Sequence, residues 1–286
     1  MLYAALCHLS VVPIRSEAND RSEIVTQLLF GEMVRVLEVP KLKKNWCRVQ
    51  CTFDDYEGWM DARQLTPISE KDSKSYNSNC AYCYDVISPI MGADFFSHVS
   101  LGAVLPFFDG LNLRIGEKKF TYNGLAIYSN DCTSTAERVV KMARKLIMSP
   151  YLWGGRSPFG IDCSGFTQIV FRLAGIALPR DASQQIELGN TIDFVETAQA
   201  GDLAFFDNDK GRITHVGIAL GNGKIIHASG QVRIDILDHH GIFSEEHQRY
   251  SHKLRVIKRL LLNENNAAPT LFSVVEKKLT LDNSLF

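Results

Sequence analysis

Over residues 1 to 68 the apolar positions come in short runs cut by polar turns: "LSVVPIRS", "EIVTQLLFGEMVRVLEVP", "NWCRVQ", "YEGWMDARQL". Within "MVRVLEV" and "WCRVQC" apolar and polar residues nearly alternate, which sets one face of an extended chain against a core and the other against water. The pattern predicts a small all-β barrel or sandwich. A polar bridge, "ISEKDSKSYNSN", leads into a second stretch, 69 to 130, where "SHVSLGAVLPFFDG" and "KKFTYNGLAIYS" supply strand-length runs broken by Gly, Pro and Asn. This is expected to be a second small β module, too unlike the first to count as a repeat.

From residue 133 the period changes. "TSTAERVVKMARKLIMSP" places Val139, Met142, Ala143 and Leu146 on one helical face, with a capping box expected in Ser134 and Glu137 and a stop at Pro150. A second helix is predicted to begin near Cys163, with Phe166, Ile169, Val170 and Leu173 turned inward and Gly175 as its end. Strand candidates follow: "GDLAFFD" (201–207), "THVGIAL" (214–220), "KIIHAS" (224–229) and "KLRVIKRLL" (253–261). Helices followed by a run of strands imply an α+β unit over 131–262 with an antiparallel sheet. Residues 263–286 read as a polar tail with one apolar patch.

Composition narrows the possibilities. With 286 residues and a 45% hydrophobic share the chain can fill several cores. Its 31 basic and 32 acidic residues leave a net charge of -1, which gives no grip on nucleic acid or on a membrane surface. No run approaches the roughly 18 apolar residues of a membrane span. The start, "MLYAALCHLSVVPIRSE", has no basic residue ahead of its short apolar stretch and no convincing cleavage site, so no signal peptide is read. The seven cysteines, an odd number without a framework, suit a reducing compartment. A cytoplasmic location is therefore expected, or a periplasmic or secreted one if a leader has been removed. "CAYC" at 80–83 with Cys47 and Cys51 does not have a zinc spacing and is read as buried thiols; no metal or other cofactor is expected.

One cysteine stands apart. In "YLWGGRSPFGIDCSGF", Cys163 follows a glycine-rich turn and opens a helix, whose unpaired N–H groups and positive end favour a thiolate. Gly154, Gly155 and Gly160 are expected to let a substrate chain approach, and the Cys163 amide to face an oxyanion. A helix-opening cysteine is often structural, so a base is needed. His215 and His227 stand in the two arms of a predicted hairpin around "GNG" (221–223). A three-residue loop pairs 217 with 227 and sets both imidazoles on one face, whereas a two-residue turn is expected to separate them. In the first register His215 is a general base for Cys163, and His227 accepts a hydrogen bond from its other nitrogen and fixes its tautomer. The remaining histidines look unhelpful: His239 and His240 would face opposite ways, "HHGIFSEEHQRYSH" reads as a polar connecting loop, and His8 and His98 fall in the β modules.

Taken in order, "YLWGG", "DCSGF", "LPRDASQQ", "GDLAFF", "THVGIAL" and "IIHASG" resemble the NlpC/P60 cysteine peptidases of bacterial cell-wall peptide metabolism. "PIRSEANDRSEIVTQLLFGE" and "YEGWM" are similar to the first bacterial SH3-type domain of γ-D-glutamyl-diamino-acid endopeptidases. The resemblance implies a papain-like catalytic domain behind two SH3-like barrels, with Cys163, His215 and His227 as the catalytic trio. It also implies that Tyr151 assists the oxyanion, although an aromatic packing role is equally open.

The implied reaction is cleavage between γ-linked D-Glu and Lys or diaminopimelate in murein peptides with an unblocked N-terminal L-Ala, as in wall-peptide recycling. Asp181, with Glu17 and Tyr56, would surround the L-Ala ammonium, while Ser164 would contact the D-Glu carboxylate. Ser183 is a displaced candidate for a second donor, because Ala182 follows Asp181 directly, and Asp162 and Arg180 would shape the pocket. Asp181 is equally suited to cap a helix, and Glu17 to be a solvated turn charge. Two rivals stay open: a non-catalytic peptidoglycan-binding protein, and a murein amidase or acyltransferase on the same fold.

Overall fold

A computed structural model describes residues 1–41, 45–76 and 80–261. The tail assigned to 263–286 lies outside the described residues. The first β unit consists of β1 (Tyr3–Cys7), β2 (Val11–Arg15), β3 (Ile24–Leu29), β4 (Met33–Glu38), β5 (Trp46–Cys51), β6 (Glu57–Asp61) and β7 (Leu65–Pro67), in one antiparallel sheet of order β3-β2-β6-β5-β4-β1-β7. The alternation read in β4 and β5 is realised: Val34, Val36, Cys47 and Val49 are fully buried in a core of their own.

The polar bridge holds a short helix, α1 (Glu70–Ser75), whose N-cap Ser69 Oγ accepts the Asp72 N–H at 3.1 Å. The second β unit contains β8 (Cys80–Cys83), β9 (Ile87–Met91), β10 (Phe96–Ser100), β11 (Val104–Pro106), β12 (Asn112–Ile115), β13 (Lys118–Thr121) and β14 (Ala126–Tyr128). It splits into two sheets, β10-β9-β13-β12 and β11-β8-β14. Its buried residues, among them Cys80 to Cys83, Leu101 and Phe120, are continuous with those of the helices that follow. All seven cysteines are free thiols.

In the C-terminal unit α2 (Ala136–Lys145) buries Val139, Met142 and Ala143, and Leu146 just beyond it. Its N-cap is Thr135, whose Oγ1 accepts the Arg138 N–H at 3.2 Å, so the cap lies one residue beyond the expected Ser134. A small ladder of β15 (Arg156–Ser157) and β16 (Gly160–Ile161) leads into α3 (Cys163–Arg172), every residue of which is buried. Then come α4 (Ala182–Gln185), β17 (Asn190–Ile192), β18 (Leu203–Asp207), β19 (Ile213–Gly221), β20 (Lys224–Ser229), β21 (Gln231–Leu237), β22 (Gly241–Ser244) and β23 (Arg249–Arg259).

The sheet runs β17-β23-β18-β19-β20-β21-β22, and β22 pairs again with β23, so the expected antiparallel sheet curls into a six-stranded closed barrel. Register shifts at Phe205/Phe206, Phe206/Asp207 and Ile242/Phe243 sharpen the local twist that closure needs. The segment expected to be a polar loop, 239–252, is thus largely sheet. Its two strands are joined by residues 245–248, with Gln248 at a positive φ of 49°. His239 and His240 lie in the preceding turn with ring centroids 4.0 Å apart, rather than on opposite faces.

Candidate active site

Cys163 is the first residue of α3 and Asp162 is its N-cap. Asp162 Oδ1 accepts the Gly165 N–H at 2.7 Å and Oδ2 accepts the Gly154 N–H at 2.9 Å, which ties the glycine-rich turn to the helix start. The Arg180 guanidinium grips both oxygens, at 3.0 and 2.5 Å. It also donates to Ser164 Oγ at 2.8 Å and to Thr26 Oγ1 of the first β unit at 2.9 Å. Asp162 and Ser164, both 6% exposed, are therefore held within the protein's own network.

The glycines serve the fold rather than a substrate chain. A Cβ on Gly154, which has a φ of +76°, would lie 2.3 Å from Ile24 O of the first β unit, and one on Gly155 would lie 2.3 Å from Gly160 O. The close approach that these residues allow is between parts of the chain itself.

The hairpin differs from its expected form in an instructive way. Asn222 and Gly223, at φ 52° and 65°, make a two-residue turn between paired Gly221 and Lys224. A register shift between Ala219 and Gly221 then leaves one extra residue in β19, and Gly217 pairs with His227 as a three-residue loop would have it. The bulge restores the common face that a two-residue turn alone would have lost. Gly217 matters here because a Cβ at that position would stand 2.9 Å from His227 Cβ. Its bare face lets His227 lean across to His215.

The two imidazoles meet: His215 Nε2 and His227 Nδ1 are 2.8 Å apart, and both residues are buried. His227 Nε2 in turn faces Asp235 Oδ2 at 3.0 Å. The backbone N–H of Val216, next to His215, and that of Ser164 bond to the Cys163 thiol, which brings Sγ to the β19 face. Burial, and then the Asp162 charge, push this thiol up to about 12, against the downward pull of those N–H groups and Arg180. The helix end does not prevail over burial. Burial, followed by His252 and His227, holds His215 well below the usual imidazole range. Both shifts favour the uncharged forms, a thiol and an imidazole.

His252, on β23, was not singled out from the sequence, yet its ring stacks on His215 at 4.0 Å and 22°. Phe206 packs against both rings, at 5.8 and 5.9 Å. Burial and the neighbouring His227 lower His252 to about 4. The apolar and polar alternation of "YSHKLRV" carried the signal, since it extends β23 four residues ahead of "KLRVIKRLL". His215, His227 and His252 have the donor atoms of a metal site, all within 4.8 Å of one another. The ring geometry does not suit one: two nitrogens face each other along a hydrogen bond, and near-parallel stacked rings do not aim their in-plane lone pairs at one point.

Tyr151 is half-buried beside Cys163, whose charge and that of Asp162 add to burial in raising its phenol to about 12. Tyr56, from the first β unit, is likewise raised to about 12, by burial and then by Asp181, to whose carboxylate it is hydrogen-bonded. Burial also raises the Asp181 carboxyl. Asp181 does cap α4, where its N–H is bonded to Gln184 Oε1 at 3.3 Å, and Gln185 fastens α4 to α3 through Ser164 O at 3.1 Å. Capping and the Tyr56 contact coexist. Ser183 is exposed on α4, and Glu17 lies exposed in the β2–β3 turn, without a bond to Asp181 or Tyr56 among the described residues.

The sequence and fold have known counterparts. Residues 148–252 match the NlpC/P60 family, and residues 14–65 match the bacterial dipeptidyl-peptidase Sh3 domain. A gamma-D-glutamyl-L-lysine dipeptidyl-peptidase of Bacillus subtilis is 32% identical over 222 residues, 72% of each chain. Dipeptidyl-peptidase 6 of Lysinibacillus sphaericus is 26% identical over 84% of this chain and 91% of its own. The crystal structure of an NlpC/P60 family protein from Bacillus cereus superposes with a TM-score of 0.75 at 23% identity, over 91% of this chain and 100% of that one, and shares the fold. With a thiol at a helix start bonded to the N–H of Val216, the residue after His215, and with these relatives, the chain belongs to the NlpC/P60 family of cysteine peptidases.

Proposed function

We propose that the protein cleaves the bond between γ-linked D-Glu and Lys or diaminopimelate in murein peptides whose N-terminal L-Ala is unblocked. The observation that carries this reading is the Cys163 thiol bonded to the N–H of Val216, the residue after His215, whose imidazole meets His227 at 2.8 Å. In the reaction His215 removes the thiol proton as Sγ attacks the γ-carbonyl carbon. The oxyanion is stabilised by the Cys163 N–H and the Tyr151 hydroxyl. Collapse breaks the C–N bond, His215 returns the proton to the leaving amine, and water hydrolyses the remaining thioester.

The names of the Bacillus subtilis and Lysinibacillus sphaericus relatives support a dipeptide-releasing cut after D-Glu. Asp181 with Tyr56 offers a half-buried carboxylate for the L-Ala ammonium, and Ser164, next to Cys163 in sequence and bonded to Arg180, is the candidate contact for the D-Glu carboxylate. A peptide still amidated to glycan lacks that ammonium and leaves the carboxylate unpaired, so released fragments rather than intact wall are the expected substrate. Seven free thiols fit a reducing, cytoplasmic site of wall-peptide recycling. Glu17 and Ser183 are exposed and are not assigned a contact with the substrate.

The decisive assay is incubation with L-Ala-γ-D-Glu-Lys and with its N-acetylated form, read by mass spectrometry. Free Lys from the first and at least a hundredfold slower release from the second are expected. An intact tripeptide would refute the assignment in favour of amidase or binding activity, and equal rates would remove the ammonium pocket.

A further inference from the structure

We infer that Asp235 is a positioning residue for this peptidase: its carboxylate on His227 sets the tautomers of both imidazoles, so that the bare nitrogen of His215 is the one left for Cys163. The inference rests on the Cys163–His215 reading above and adds a group that the NlpC/P60 resemblance did not bring.

Asp235 stands on β21, opposite Ile225, while His227 stands opposite Arg233. Residues two apart on a strand share a face, so Arg233 and Asp235 flank His227 on the same side of the sheet. The Asp235 side chain is 6% exposed, and its oxygens are divided between two partners. Oδ2 meets His227 Nε2 at 3.0 Å, and Oδ1 accepts Arg233 Nη2 at 3.0 Å, with Arg233 Nε 2.9 Å from Oδ2. Arg233 is itself fixed from the far side by Glu246 Oε2 at 2.9 Å.

The proton positions follow from donor and acceptor chemistry. An ionised carboxylate only accepts, so the hydrogen between Asp235 and His227 belongs to His227 Nε2. In a neutral His227 that proton leaves Nδ1 as an acceptor. The hydrogen in the 2.8 Å contact must then come from His215 Nε2. His215 Nδ1 consequently carries the lone pair. A carboxylate two imidazoles away from the sulfur thereby decides which nitrogen is basic.

Nitrogen-15 NMR of histidine-labelled protein tests this without any substrate. At neutral pH the wild type should show His215 and His227 both as Nε2–H tautomers; an Nδ1–H tautomer at either position would overturn the inference. In Asp235→Asn the amide can donate to His227 Nε2, which should shift both residues toward Nδ1–H and lower kcat roughly 10²- to 10⁴-fold with KM little changed. Asp235→Glu should restore the wild-type tautomers and part of kcat. Unchanged tautomers in Asp235→Asn would refute the proposal whatever its activity. Failure of the wild type to cleave the tripeptide would instead count against the proposed function and leave the tautomer result standing.

Discussion

The two β units, alike in strand length and apolar pattern, meet the catalytic unit by opposite means. The first meets it with charge and hydroxyls. Glu32, 4% exposed, is bonded to Arg156 at 2.9 and 3.0 Å and to Arg172. Gln27 Oε1 accepts the Arg156 N–H at 2.7 Å, Asp54 accepts Gln168 at 2.8 Å, Phe53 lies under the Arg172 guanidinium at 3.7 Å, and Tyr56 reaches Asp181. The second unit offers backbone and apolar surface. Gly102 O accepts from Arg172 at 3.1 Å, Tyr84 O accepts from Lys145, and Gly102 is bare enough to seat Ile169 of α3. Directional bonds fix distances in a way that apolar packing does not, so the unit that shapes the cleft is the one bound through them.

The largest effect should come from breaking the buried clamp. Burial would raise the Glu32 carboxyl, but Arg156 and Arg172 overcome this and hold it at about 2, below its ordinary 4.5. Removing the anion strands two buried guanidiniums, so Glu32→Ala should lose about 3–5 kcal/mol in urea denaturation. The pH dependence has a definite sign. A depressed carboxylate contributes stability above its unfolded pKa and loses it as pH falls through the folded one, here between about 4.5 and about 2. Glu32→Gln should flatten the acid limb of the stability curve in that window. An unchanged acid limb would show that the clamp does not couple the units.

A middle-sized effect is expected where the first unit touches substrate chemistry. Tyr56→Phe removes the hydroxyl on Asp181 and should raise KM for the free-amine tripeptide about tenfold, with kcat and stability nearly constant. Because burial raises the Asp181 carboxyl, KM should begin to climb on acidification at a pH above that of an ordinary carboxylate. A flat KM down to pH 4 would mean that the ammonium is read elsewhere.

What could be read from the sequence was local. The faces of α2 and α3 followed from a 3.6-residue period, because each helix had one apolar stripe to bury, and Cys163 fell at the start of α3 as its cap residue Asp162 requires. The cap of α2 moved from Ser134 to Thr135 because adjacent hydroxyls serve equally and only the path of the chain chooses between them. The histidine face was expected for the wrong reason: Asn222-Gly223 forms the short turn, and the bulge in β19 corrects it. Asp235 escaped notice because no strand was expected over 231–237, although β21 folds straight back on β20, and His252 because β23 reaches His215 only through β18, which lies between the two strands. Pairing of β22 with β23 joins strands whose register no local pattern specifies. The burial that pushes the thiol up was equally invisible, since it depends on tertiary packing around Cys163.

The smallest expected effect completes the contrast between the two β units. Lys145, at the end of α2, donates to Tyr84 O and lies over the Tyr84 ring at 4.2 Å, so it adds one flexible arm to the contacts between the second β unit and the catalytic unit. Burial lowers its ammonium pKa, and Asp85 opposes that shift. In Lys145→Met the stem still packs while the charge is lost, so about 1 kcal/mol of stability should disappear, by the net worth of one such bond and one ring contact. The tripeptide kcat and KM should not change, because this contact leads to the back of α2 rather than to Asp162, Asp181 or His215. A kinetic change as large as that of Tyr56→Phe would mean that the second unit also sets the cleft, and the division between a directing module and a supporting one would fail.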